Sequence, residues 1–196
     1  MLLCRSALVR RFFRSLYGAC LFFGVIDTVA HAQSSVPVFD ATTLRQPGNL
    51  ASTWLVQPGD NPAYADPAYD DSHWIRFDPH TDLRNLMPHD RPEVVWYRLH
   101  VKVAPNQTGL ALEEFSLARA YQIYVNGQLL LQAGNVKPFR PYTIGARLVE
   151  PIPNGEVATG SLVIALRVHV ARAEWTGGFP GFYYYNLTMG QESALR

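Results

Sequence analysis

Cysteine is missing after residue 20: the chain has only Cys4 and Cys20, both in its first stretch. No disulfide can brace the body of the protein, which must fold on its hydrophobic core. Neither sign of charge dominates, with 17 Lys and Arg against 16 Asp and Glu and a formal net charge of +1. That balance excludes the strongly basic surface that nucleic acids need. From residue 33 onward there is no long amphipathic helical period, and no apolar run of the roughly 20 residues that carry a helix across a bilayer. A Gly-x-Ser-x-Gly elbow, a phosphate-binding glycine loop and a cysteine nucleophile are also absent.

The first residues read as a leader. Arg5, Arg10, Arg11 and Arg14 form a basic start, Leu16 to Ile26 is apolar, and Ala30-His31-Ala32 supplies the small residues of a cleavage site. Residues 1–32 are therefore expected to be a signal peptide, and the protein to be exported to the periplasm or the extracellular space. The leader carries off both cysteines, four arginines and Asp27, leaving a slightly acidic body large enough for one domain with a real core.

Strand patterns dominate that body. Val94 to Val103 alternates strictly, with Val95, Tyr97, Leu99, Val101 and Val103 on one face and Trp96, Arg98, His100 and Lys102 on the other. Ser161 to Val170 is a second long strand, with Leu162, Ile164, Leu166, Val168 and Val170 facing the core. Shorter strands are expected at 36–42, 53–57, 73–78, 109–115, 120–125, 129–131, 146–151 and 181–189. Asn126-Gly127 marks a type I′ hairpin, because both central residues of that turn need positive φ. Residues 58–92 are rich in Pro, Asp and His and promise only a strand near 73–78 and a helical turn near 81–87. Regular turns and the absence of repeats predict an all-β fold, an antiparallel β-sandwich of jelly-roll type. Its boundaries are expected at 51–190, after an extended segment at 33–50 and before a linker-like tail at 191–196.

Several of these residues fall into one order: Trp54, Gly59-Asp60, Asp70-Asp71-Ser72-x-Trp74, Trp96-Tyr97-Arg98, then Val125-Asn126-Gly127 and Leu162 to Val168. The order resembles the galactose-binding-like jelly roll that serves as the sugar-binding domain of family-two glycoside hydrolases. It is similar also to the N-terminal exported sensor domain of bacterial membrane signalling proteins. The resemblance implies a non-catalytic module that binds a carbohydrate or other small ligand, as the sensory part of a signalling protein. The alternatives are an accessory domain or fragment of a glycoside hydrolase, and a structural domain for protein interaction. Expected partners are the ligand itself and a membrane-embedded signalling chain or a hydrolase chain; nucleic acid is not among them.

Catalysis is not expected. Glu113 and Glu114 are adjacent on a strand and point to opposite faces, so they cannot flank one glycosidic bond. In the hydrolases of the resemblance, the catalytic acids sit on a separate barrel. Trp175, Phe179, Tyr183 and Tyr185 form the leading ligand candidate, because flat aromatic faces among glycines can stack on a sugar ring. The competing reading places part of this cluster in the core. Arg98 and Arg167 are the second candidate, a cationic patch for an acidic sugar if the two long strands are neighbours; a solvated sheet face is the plainer alternative. Asp70 and Asp71 could offer hard oxygen ligands to a structural calcium ion, or simply cap a turn. No other cofactor is expected. His73, His80 and His89 match no zinc spacing and read as part of a solvated loop.

Overall fold

The computed structural model describes residues 35–44, 46–89, 91–143, 146–177 and 181–196. The expected leader, with its cleavage site after Ala32, lies outside the described residues, as does Phe179. No described helix is long and apolar enough to cross a membrane.

Two sheets carry the chain. The larger runs β4 (Ile75–Phe77), β3 (Trp54–Pro58), β5 (Val94–Lys102), β10 (Ser161–His169), β7 (Tyr121–Val125) and β8 (Gln128–Ala133). β1 (Val38–Asp40) joins the same edge of β5 as β3 but further along, pairing in parallel with His100 to Lys102. All other strand pairs are antiparallel. The smaller sheet runs β2 (Gly48–Asn49), β11 (Leu187–Gln191), β6 (Leu110–Glu114) and β9 (Leu148–Pro151). Four short helical turns fill connections: α1 (Leu83–Leu86), α2 (Asn154–Val157), α3 (Arg172–Gly177) and α4 (Glu192–Leu195). The all-β sandwich expected from the alternation is what forms.

The alternation of β5 explains the principal core. Val95, Tyr97, Leu99 and Val101 pack with the inward residues of β10 and with Leu110, Leu112, Leu187 and Met189 from the smaller sheet. Trp54, Phe77, Tyr97 and Phe182 form an aromatic group at one end, with Trp54 and Phe182 5.1 Å apart in an edge-to-face arrangement. The Trp54 indole donates to the Leu50 carbonyl at 3.1 Å, so this large side chain is buried without an orphaned donor.

The hairpin at Asn126-Gly127 forms with φ of 46° and 85°. Asn126 does more than turn the chain: its side-chain oxygen accepts from the Val163 N–H at 2.8 Å and its amide donates to the Glu156 carbonyl. The turn is thereby tied to β10.

Three expectations need adjusting. The closing strand begins only at Leu187, because residues Tyr184–Asn186 make a 3-10 turn. The segment 33–50 contributes a strand to each sheet through β1 and β2. Residues 192–195 form α4, bury Leu195 and place Arg196 against the Val149 carbonyl.

The largest departure concerns the second face of the larger sheet, read as polar and solvated. Residues 61–74 fold across it and bring Ala65 and Trp74, with Tyr64 and Tyr69, onto Leu55, Val94, Trp96 and Ala165. Tyr64 lies 4.9 Å from Trp74 and 6.0 Å from Trp96, ring to ring, and meets both edge-on. The central strands are thus covered on both faces.

Candidate functional site

The covering loop decides the fate of Arg98. Its side chain is fully buried. Its Nε donates to Asp71 Oδ2 at 2.6 Å, and its Nη1 donates to the carbonyls of Tyr64 and Asp66 at 2.6 and 2.8 Å. His100, two residues on and on the same face of β5, meets the same Asp71 oxygen through Nε2 at 2.8 Å. Burial would raise the Asp71 carboxyl, but the His100 hydrogen bond and the charges of His100 and Arg98 outweigh it and hold the pKa below its ordinary value. Arg98 is therefore not a ligand contact on an open patch: it is the post on which the loop is fastened. A buried guanidinium needs an ionised partner and acceptors for its N–H groups, and here Nε and Nη1 are served while Nη2 has no hydrogen-bond partner among the described residues.

Asp70 and Asp71 part company for the same reason. The Asp70 carboxylate accepts from the Ser72 N–H at 3.0 Å, as a turn cap, while Asp71 faces inward to Arg98. This does not fit a calcium set, and no three metal-ligating side chains converge anywhere among the described residues.

Arg167 stays near the surface. β5 and β10 are neighbours as required, with Arg167 opposite Trp96 and Ala165 opposite Arg98. Asp60 holds the Arg167 guanidinium bidentately, Nε to Oδ1 at 2.8 Å and Nη2 to Oδ2 at 2.7 Å, and Gln122 takes Nη1. Asp60 sits below its ordinary pKa chiefly because of that hydrogen bond. The cationic patch is thus neutralised from within.

Trp175 also differs from expectation. It lies on α3 rather than in an open loop, is 2 % exposed, and donates its indole N–H to the Pro92 carbonyl at 3.1 Å. Only its edge reaches a surface.

Tyr183 and Tyr185 remain outside, 38 % and 59 % exposed. With Tyr184 they form a continuous aromatic surface: Tyr183 to Tyr185 is 5.6 Å and Tyr184 to Tyr185 is 5.5 Å between ring centres. The Tyr184 ring also meets His80 at 4.4 Å. These rings and Pro79, Thr81 and Asp82 border a shallow depression of about 390 Å³. Tyr183 and Tyr185 face outward while Tyr184 between them is half-buried and packs against the core, so the alternation of a strand persists into the 3-10 turn at Tyr184–Asn186. The sandwich supplies the support, since the Asn49 amide donates to the Tyr184 carbonyl and Phe182 is locked in the core.

A second concavity went unread in the sequence. His89, Arg91 and Glu93 on one side and His169 to Arg172 on the other, with Phe139 and the edge of Trp175, enclose a cleft of about 640 Å³. Phe139 lies flat on the His169 ring, 3.9 Å between centres and 13° between planes. The Arg119 guanidinium stands over Phe139 at 5.4 Å. Burial lowers the pKa of His169 and raises that of Glu174, so both lean to their neutral forms. The residues come from three separate connections, so no spacing in the sequence announced them.

No family model and no curated protein sequence matches the chain. Solved structures do. A Bacteroides uniformis beta-glucuronidase superposes with a TM-score of 0.53 at 19 % identity, over 74 % of this chain and 17 % of that one. A calcium-binding mutant of Bacteroides uniformis beta-glucuronidase 2 gives 0.54 at 19 % identity, over 74 % and 18 %. A glycosyl hydrolase family 2 member from Bacteroides cellulosilyticus gives 0.51 at 18 % identity, over 74 % and 20 %. The chain spans at most about a fifth of the length of these neighbours. At such identities the likeness is one of fold: the sandwich is similar to a part of family 2 glycosidases.

Proposed function

We propose that the chain is an accessory, non-catalytic module of a glycoside hydrolase system, and that it holds carbohydrate on the Tyr183–Tyr185 surface. The observation that carries this reading is the pair of exposed tyrosines, Tyr183 and Tyr185, flanking a half-buried Tyr184 on a rigid support. Tyrosine offers large flat area and a hydroxyl at little entropic cost, which suits the alternating apolar and polar faces of a sugar ring. The likeness to a fifth of family 2 glycosidase chains supports the association with a hydrolase. The sensory role implied by sequence resemblance has no structural observation in its favour. An export signal at 1–32 would place the module where polysaccharides are met.

The test is a glycan array probed with the chain and with Tyr185→Ala. Binding to a defined set of glycans, weakened about tenfold or more by the substitution, is the expected outcome; stacking one ring contributes on the order of 1 kcal/mol or more. A flat array with properly folded protein overturns the reading. Since Tyr185 is 59 % exposed, its removal leaves the fold intact.

A further inference from the structure

We propose that His80 sets the specificity of the tyrosine surface: its Nε2 accepts a hydrogen bond from one hydroxyl of the bound sugar, and the site thereby selects among sugars by the direction of that hydroxyl. The inference rests on the carbohydrate reading above and names the residue that makes such a surface selective.

The depression has two unlike walls. Tyr183 and Tyr185 on one side supply flat area, and Pro79, His80, Thr81 and Asp82 face them from the other. Aromatic area holds a sugar ring by its carbon and hydrogen face and tells epimers apart poorly. Epimers differ in the direction of a single hydroxyl, so discrimination needs a polar atom fixed beside the ring.

Most polar atoms of the second wall are already committed. Asp82 accepts from the Arg84 N–H at 3.0 Å and pairs with the Arg84 guanidinium, which also donates to the Thr176 carbonyl. The Thr81 hydroxyl donates to the Asp78 carbonyl at 2.6 Å. His80 differs. Its backbone N–H donates to Asp78 Oδ1 at 2.9 Å, and its Nδ1 meets the same oxygen at 2.7 Å. Those two bonds hold the Asp78 carboxyl below its ordinary pKa, so the oxygen is an ionised acceptor and Nδ1 carries the proton. In the neutral ring Nε2 is then a lone-pair acceptor, and it has no hydrogen-bond partner among the described residues. The side chain is 58 % exposed, which leaves the end of the ring away from Asp78 open to a ligand.

The ring is also fixed in direction. Asp78 holds one edge, and the Tyr184 ring lies 4.4 Å from it between centres, tilted by 51°. Tyr184 is half-buried, and its carbonyl accepts from the Asn49 amide at 3.0 Å. The acceptor therefore keeps its place relative to Tyr183 and Tyr185, and little freedom is lost when a ligand arrives. Residues 78–82 come from the approach to α1 and residues 183–185 from the approach to β11, so the fold alone brings the acceptor to the aromatic wall.

The glycan array decides the matter when it is probed at pH 8, above the range in which imidazole protonates, with wild type, Tyr185→Ala, His80→Phe and His80→Gln. Phenylalanine keeps a flat ring against Tyr184 and removes Nε2, whereas the glutamine amide carries an oxygen acceptor to much the same reach. Wild type is expected to separate array glycans that differ in the direction of one hydroxyl by about fivefold or more, the contribution of one hydrogen bond. His80→Phe should bind the preferred glycans about fivefold more weakly and lose that separation, while His80→Gln should keep most of it. Tyr185→Ala should weaken all bound glycans alike and leave the separation in place. Wild-type strength and pattern in His80→Phe, together with weak binding by Tyr185→Ala, overturn the role of His80 and leave the carbohydrate surface standing. A wild type that binds glycans without separating such pairs overturns it too, and a glutamine variant that behaves as the phenylalanine variant overturns the acceptor. A flat array with wild type overturns both readings together. The exposure of His80 means that neither substitution unfolds the protein, and an unchanged melting temperature confirms it.

Discussion

Asp71 joins two roles that are usually kept apart, neutralising a buried guanidinium and fastening a loop. Substituting it by Asn keeps the shape but strands Arg98 without its counter-charge. Loss of one partner from a buried pair costs about 3–5 kcal/mol, and Asp71→Asn is expected to fall in that range by urea denaturation. The pH dependence follows from the depressed carboxyl. Its contribution is complete above the unfolded value of 3.8 and fades as the pH drops through the lower folded value. The gap between wild type and Asp71→Asn should therefore close in acid and stay constant above pH 5. Glu114 works in the opposite direction. Burial raises its carboxyl, and the Tyr121 hydroxyl donates to it. Its neutral form is the one the fold prefers, so its contribution holds below the unfolded value of 4.5 and is lost as the pH rises through the folded value. Glu114→Gln should gain stability relative to wild type from pH 5 to 8, measured by the same denaturation; a variant weaker than wild type at pH 7 would contradict this.

At the scale of elements, the 181–187 segment approaches β5 more closely at Gly181 than any other described glycine approaches its neighbours. Gly181 has φ of +96°, and a Cβ placed there would stand 1.6 Å from the Tyr97 hydroxyl oxygen. The segment can enter the core at Phe182 and leave it at Tyr183 only because position 181 has no side chain. Gly181→Ala is expected to lose more than about 2 kcal/mol, through both the backbone and the clash. Adding Tyr97→Phe should restore part of the loss, which a double-mutant cycle reads directly. Additive losses would mean that the backbone conformation alone is responsible. The stretch 61–74 shows what the sequence could and could not tell. Strands reveal themselves by period two, and β5, β7 and β10 were legible for that reason. The stretch over them has no period: its tyrosines and Trp74 are spread through turns capped by Asp66 and Asp70. Nothing local announces that such a segment will lie on a sheet, so Arg98 read as exposed when it is buried.

For the whole molecule, the sandwich itself was readable from alternation and the Asn126-Gly127 turn, whereas the placing of single side chains was readable only in part. Tyr183 and Tyr185 drew notice because aromatic residues beside glycines are conspicuous in one dimension, and both are exposed. Trp175 was conspicuous for the same reason and proved to be core, since periodicity cannot distinguish a short helix seated under a loop from the loop. The cleft was invisible because it gathers single residues from positions 89 to 172, none of them unusual alone. Sites made by tertiary convergence leave no local trace.

The enclosure of β5 also has a consequence in time. It is paired along both edges, by β10 on one side and by β3 and β1 on the other, and its faces lie under the core and the 61–74 stretch. No partial opening frees its amides, so their hydrogen exchange should report global unfolding alone, while β8 and β9, at the sheet margins, exchange through local opening. Exchange monitored by mass spectrometry should leave 95–101 as the slowest peptide. Equal rates in β8 and β5 would refute the enclosure. Any ligand of the folded state, at either surface, must then slow β5 by the factor with which it binds, making this strand an internal gauge of occupancy.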